Sequence, residues 1–118
     1  MARIAIMSCQ KIKDASCIGC IKCFKAMDLK EGEFSRYADN IDVIAMSDCG
    51  DCPGLVMPKL ALVKDVADHY GRDFDTVHIG TCIVKAVQTA ACPINLEKLA
   101  GMIENVMGKQ VVIGTHSY

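Results

Sequence analysis

Four short apolar runs rich in β-branched residues recur along the 118-residue chain: Arg3 to Ser8 (RIAIMS), Ile41 to Met46 (IDVIAM), Thr76 to Gly80 (TVHIG) and Gln110 to Gly114 (QVVIG). Continuous apolar runs of this length read as strands buried on both faces, which is the habit of parallel sheets. Between the second and third runs, Leu60, Val63, Val66, Ala67 and Tyr70 fall on one face of a helix from Pro58 to Tyr70, with Pro58 suited to its first turn and Gly71 to its cap. Between the third and fourth, Leu96, Leu99, Met102, Ile103 and Val106 repeat at helical spacing, Asn95 can cap the start and Gly108 can close the end. A shorter helix is expected from Lys22 to Leu29, and a turn from Glu33 to Ala38.

Strands that alternate with helices require right-handed crossovers. The expected fold is therefore α/β: a Rossmann/flavodoxin-like parallel sheet of about four strands in the order 2-1-3-4, with helices on both faces. Residues 1–118 read as a single domain, because 52% hydrophobic composition in a chain of this size suffices for one core and no linker or repeat divides it.

A net charge of -1 gives no basic field, and three Tyr, three Phe and no Trp leave little to stack on bases, so nucleic acid is not expected as a partner. The N-terminus lacks a signal-peptide core and no run approaches a membrane span, so a cytoplasmic protein with no membrane partner is expected. Eight cysteines in a reducing compartment point to thiolate chemistry or metal binding rather than a disulfide scaffold.

In a parallel sheet the loops that leave the strands gather at one edge, where such folds place their sites. Cys9 follows the first run, Cys49 and Cys52 the second, Cys82 the third and His116 the fourth. Cys17, Cys20 and Cys23 lie in the segment after the first strand, and Cys92 lies before the last helix. Among these only Cys23 falls within an expected helix. Of the other histidines, His69 sits near a helix C-terminus and His78 inside a strand, so both read as structural.

The run CIGCIKC from Cys17 to Cys23, with a remote Cys92-Pro93, is similar to bacterial ferredoxin ligation. Eight thiols match two 4Fe-4S clusters: Cys17, Cys20, Cys23 and Cys92 around one, Cys9, Cys49, Cys52 and Cys82 around the other, with Cys9 and Cys92 able to exchange roles. An iron-sulfur protein for electron transfer or redox sensing, working with a redox protein partner, ranks first. A zinc-binding module that serves a protein interaction ranks second, because paired cysteines with a histidine also suit tetrahedral zinc. A thiol-disulfide oxidoreductase at Cys49 and Cys52 ranks third: Pro53 and Gly54 separate the pair from the next helix, and Asp51 between them would raise a thiol pKa. The segment CQKIKDASC lacks a phosphate cradle, so no nucleotide or flavin cofactor is expected.

A first strand ending in Cys9, a loop ending CFKA, a central Cys49-Gly50-Asp51-Cys52-Pro53-Gly54, a lone Cys82, the Cys92-Pro93 pair and a terminal GTH together resemble the CGGC-domain family over nearly the whole chain. The resemblance implies a metal-binding domain, with zinc the usual suggestion, and Cys9, Cys17, Cys23, Cys49, Cys52, Cys82, Cys92 and His116 as ligands. Asp51 stands where the family pattern has a second glycine, and Cys20 is an additional thiol that moves this member toward a ferredoxin-like cluster.

Overall fold

A computed structural model describes residues 2–10, 12, 18–49, 56–89 and 92–116. Strands β1 (Ala2–Ser8), β2 (Ile41–Asp48), β3 (Thr76–Ile79) and β4 (Gln110–Ile113) form one sheet in the order β2-β1-β3-β4, every pair parallel, as the alternating pattern requires. The register sets Met7 beside both Ser47 and Ile79, and Ile79 beside Ile113, so the four strands end together at one edge.

Side chains leave β1 alternately to two cores. Ala5 and Met7, with Val77 and Ile79 of β3, meet α2 (Val56–His69), α3 (Thr81–Thr89) and α4 (Leu96–Met102) through Leu60, Ile83 and Leu99. Ile4 and Ile6 turn to the opposite face and meet Ala26 and Met27 of α1 (Ile21–Leu29), together with Phe34 of a 3-10 segment (Gly32–Arg36). Each fully buried aliphatic side chain of this kind contributes about 1.5–3 kcal/mol.

The edge strands depart from the expectation of burial on both faces. All eight residues of β2 are half-buried, and β4 leaves Gln110 and Ile113 exposed, because each strand has a neighbour on only one side. Pairing of β1 with β2 also shifts register between Ile4 and Ala5, which leaves Ile44 as the extra residue of a bulge.

Helix α2 starts at Val56, two residues before Pro58, and ends on a Schellman motif in which Arg72 N donates to Ala67 O and Gly71 N to Asp68 O. Gly71 supplies the left-handed residue at φ 66°. Leu60 and Ala67 of its expected apolar face are buried, but Val66 and Tyr70 are exposed and line a groove beside Ile44 and Ala45 of β2. In α4, Asn95 caps as expected, its side chain accepting from Lys98 N at 3.0 Å. The helix then widens into a π turn (Ile103–Met107) that buries Ile103 and turns Met102 and Val106 outward, and it closes at Gly108 with φ 67°.

Helix α3 is the element the apolar pattern does not announce. Its sequence TCIVKAVQT holds β-branched residues of low helix propensity, yet Cys82, Ile83 and Ala86 form the buried face that tertiary packing needs. Cys82 therefore lies in the first turn of a helix and not in a loop.

Candidate functional site

The strands deliver Cys9, Cys49, Gly80 and Gly114 to the carboxyl edge one residue after each ends. The ladder runs on past the strands: Cys49 N donates to Ser8 O at 3.0 Å, Gly80 N to Met7 O at 2.7 Å and Gly114 N to Ile79 O at 2.7 Å. These bonds fix the backbone directly beneath the sulfur atoms.

Cys9, Cys49 and Cys82 lie in one buried cluster, and Cys92 packs against it from the turn before α4. Within the group the Cys9 backbone N–H donates a hydrogen bond to the Cys82 sulfur at 3.0 Å. Such a donor favours a charged sulfur over a neutral one. Gly80 makes the approach feasible: a Cβ at this position would stand 2.9 Å from Met7 O and 3.1 Å from the Cys82 sulfur. Residue patterns do not single out Gly80, and the only trace it leaves in the sequence is a glycine at a strand exit beside a cysteine.

Cys20 and Cys23 sit at the start of α1, away from that cluster. Gly19 and Cys20 both take left-handed conformations, at φ 73° and φ 57°, so the chain turns sharply before the helix begins. A cysteine in this region costs about 1 kcal/mol, strain of the kind found where a side chain must be aimed. Cys23 is buried and its sulfur lies 3.2 Å from Thr115 Oγ1.

Thr115 joins the two groups of thiols. Its hydroxyl accepts from Thr81 N at 3.1 Å, its own N–H donates to Thr81 Oγ1 at 2.8 Å, and Thr81 Oγ1 donates to His116 O at 2.6 Å. This lattice clamps β4's exit to the first turn of α3. His116 is consequently only 6% exposed, a buried residue of the edge and not a solvated tail.

His78 supports the same exit from below. The Gly114 carbonyl can only accept, so His78 Nδ1 carries the hydrogen at 2.9 Å, and Nε2 is left to accept the Tyr37 hydroxyl at 2.7 Å. Burial pushes the imidazole pKa below its ordinary value, with the Gly114 bond pulling partly the other way. Burial likewise raises the Tyr37 phenol, opposed in part by a hydrogen bond with Thr76. His78 is a neutral structural residue, as its place in a strand suggests. His69, at the end of α2, stacks edge-on against Tyr70 with ring centroids 5.0 Å apart.

Cys17 and Cys52, two of the candidate ligands, fall outside the described residues, as does Asp51. Among the described residues no three His, Cys, Asp or Glu side chains are grouped closely enough to hold a metal ion. What fits a metal is the donor chemistry: buried sulfur at the carboxyl edge, with an amide hydrogen aimed at one of the sulfur atoms. No helix among the described residues is long and apolar enough to cross a membrane.

Fold and edge together define a cysteine-rich α/β protein in which Cys9, Cys49 and Cys82 share one buried cluster where parallel strands end. The model of the CGGC domain matches residues 3–116, and the chain belongs to that family. An uncharacterized protein of Methanocaldococcus jannaschii is 32% identical over 120 residues, covering 98% of this chain and 87% of its own. No solved structure matches the chain significantly. Family and composition together suggest a metal-binding protein.

Proposed function

We propose that the carboxyl edge binds metal through cysteine thiolates, and that the metal is iron held in one or two 4Fe-4S clusters for electron transfer or redox sensing in the cytoplasm. The observation that carries this reading is the Cys9 N–H set 3.0 Å from the buried Cys82 sulfur, in a cluster shared with Cys49. An amide hydrogen on sulfur stabilises the negative charge that a ligating thiolate brings, and it is one of the levers that set a cluster's potential. In this reading Cys9, Cys49, Cys82 and Cys52 supply one set of ligands, and Cys17, Cys20 and Cys23 belong to a second. Cys92, the fourth ligand of that second set, packs beside the first group, and exchange with Cys9 would put Cys92 in the first set and Cys9 in the second. An iron-sulfur cluster, when bound, supplies one-electron exchange. The chain supplies sulfur, hydrogen-bond donors and a dry wall, and a redox protein is the partner this chemistry calls for.

Zinc is the second reading, favoured by one feature: His116 is buried at the same edge, and imidazole joins thiolates in zinc sites more readily than in cubanes. Anaerobic purification with iron, acid-labile sulfide and zinc quantified per chain separates the two. Equimolar iron and sulfide are expected. Sulfide-free protein with stoichiometric zinc replaces iron with zinc, and protein that retains neither metal after anaerobic reconstitution overturns both readings.

A further inference from the structure

Hydrogen accounting at the Thr81–Thr115 lattice decides which way the Cys23 contact points. The His116 carbonyl can only accept, so the Thr81 hydroxyl hydrogen is committed to it at 2.6 Å. Thr81 Oγ1 also accepts Thr115 N at 2.8 Å. Thr115 Oγ1 accepts Thr81 N at 3.1 Å and is 0% exposed, so its own hydrogen cannot go to water. Two acceptors remain in reach: Thr81 Oγ1 at 3.3 Å and the Cys23 sulfur at 3.2 Å. The first is long for an O–H···O bond, which runs to about 3.0 Å, whereas the second is close for an atom as large as sulfur.

We infer that Thr115 donates its hydroxyl hydrogen to the Cys23 sulfur and so acts as a positioning residue that holds Cys23 as a hydrogen-bond acceptor. A chain of donors then runs from the first amide of α3, through the Thr115 hydroxyl, to a sulfur on α1. Each bond polarises the next toward the sulfur. Two thiol groups on separate helices thereby receive donors of different kinds: the Cys82 sulfur takes a backbone amide, and the Cys23 sulfur takes a side-chain hydroxyl. The inference rests on the metal-binding reading only in giving that acceptor state a use, since an acceptor sulfur is what a ligating thiolate must be.

The test has two arms. In the first, reduced wild-type protein, Thr115→Ser and Thr115→Val are titrated anaerobically with Co²⁺, following thiolate-to-cobalt absorption. Loss of a hydrogen bond behind a ligand weakens metal binding about 10- to 100-fold, so Thr115→Val should weaken by that factor and Thr115→Ser should stay near wild type. Equal affinity in Thr115→Val overturns the inference and leaves the metal reading standing, whereas wild-type protein without cobalt absorption counts against the metal reading alone. The second arm needs neither metal nor a folded valine variant. By NMR of the metal-free wild type, the buried Thr115 hydroxyl should give a slowly exchanging proton resonance. It should shift on Cys23→Ala and hold still on Cys20→Ala. A hydroxyl that exchanges rapidly, or one unmoved by Cys23→Ala, overturns the inference.

Discussion

At the amino ends of the strands, Asp73 accepts Lys109 at 2.7 Å and Lys64 at 3.3 Å, and Arg72 reaches Asp42 at 3.5 Å. At the carboxyl ends sulfur and hydroxyl take the place of charge: the Cys9 N–H on the Cys82 sulfur, the Thr115 hydroxyl beside the Cys23 sulfur, and the Thr81 hydroxyl on the His116 carbonyl. Lys59 and Asp48 add an ion pair to that second edge, at 2.6 Å, but on the flank of β2. One edge is fastened by charges of which all but Lys109 are partly exposed, and solvent keeps the worth of such pairs small. The other buries uncharged donors and acceptors that satisfy one another. The difference separates what holds this fold from what the fold holds in place.

The largest effect should come from the amino edge and leave the carboxyl edge working. Phe74 is fully buried under the sheet, with the Lys109 ammonium 5.0 Å from its ring centroid. Phe74→Ala removes both the packing and the platform, and is expected to cost about 3–5 kcal/mol of unfolding free energy by denaturant titration. Where the variant still folds, metal bound per chain should be unchanged. A proportionate loss of metal from folded protein would break the division between the two edges.

Gly80→Ala makes the reverse change at smaller cost. The added methyl would be 2.9 Å from Met7 O and 3.1 Å from the Cys82 sulfur, and one of the two contacts must give. Overpacking of this order costs about 1–3 kcal/mol. The sulfur is the softer neighbour, so the Cys9–Cys82 bond should lengthen and metal content should fall by more than the loss of folded protein explains. Gly101→Ala serves as the control, because a Cβ there meets nothing within 4 Å. Equal metal content in the two glycine variants would remove Gly80 from the site.

Much of this was legible in the residues themselves. The strands, the two long helices and the Asn95 and Gly71 caps follow from local pattern, because apolar periodicity and capping chemistry act over a few residues, and strand order follows from the crossovers that alternation requires. That Cys9, Cys49 and Cys82 share an edge follows from topology, since parallel strands must all end on one side. Helix α3 was hidden because Ile83, Val84 and Val87 carry strand-like propensity, and only the packing of Ile83 and Ala86 on the sheet overrides it. Gly80 and Thr115 were hidden for a related reason. Their roles depend on atoms about 70 and 90 residues away, Met7 O and the Cys23 sulfur, and no spacing rule spans that distance. His116 could be placed after the last strand, yet its burial comes from Thr81, a residue of the helix that the pattern missed.

The smallest effect sharpens the comparison by its pH dependence. Burial by itself would raise the Asp73 carboxyl pKa, but hydrogen bonds from Lys109, the Phe74 amide and Lys64 outweigh it and hold the group below its ordinary value of 3.8. With the folded value depressed, the unfolded chain binds more protons as pH drops past 3.8, so the contribution of Asp73 is present above that pH and disappears as pH falls through the folded value. The carboxylate is half-exposed, and solvent screening limits the whole contribution to about 1 kcal/mol or less. Asp73→Asn keeps an acceptor for Phe74 N and removes only the charge that the lysines face. Its stability deficit relative to wild type, measured by denaturant midpoint, should be largest near neutral pH, shrink with added salt and vanish in acid below the folded value. Metal content should be the same in both proteins at neutral pH. A deficit that stays constant across the acid range would mean that Asp73 holds the amino edge by hydrogen bonding alone, and the contrast between a charged edge and a sulfur edge would lose its electrostatic half.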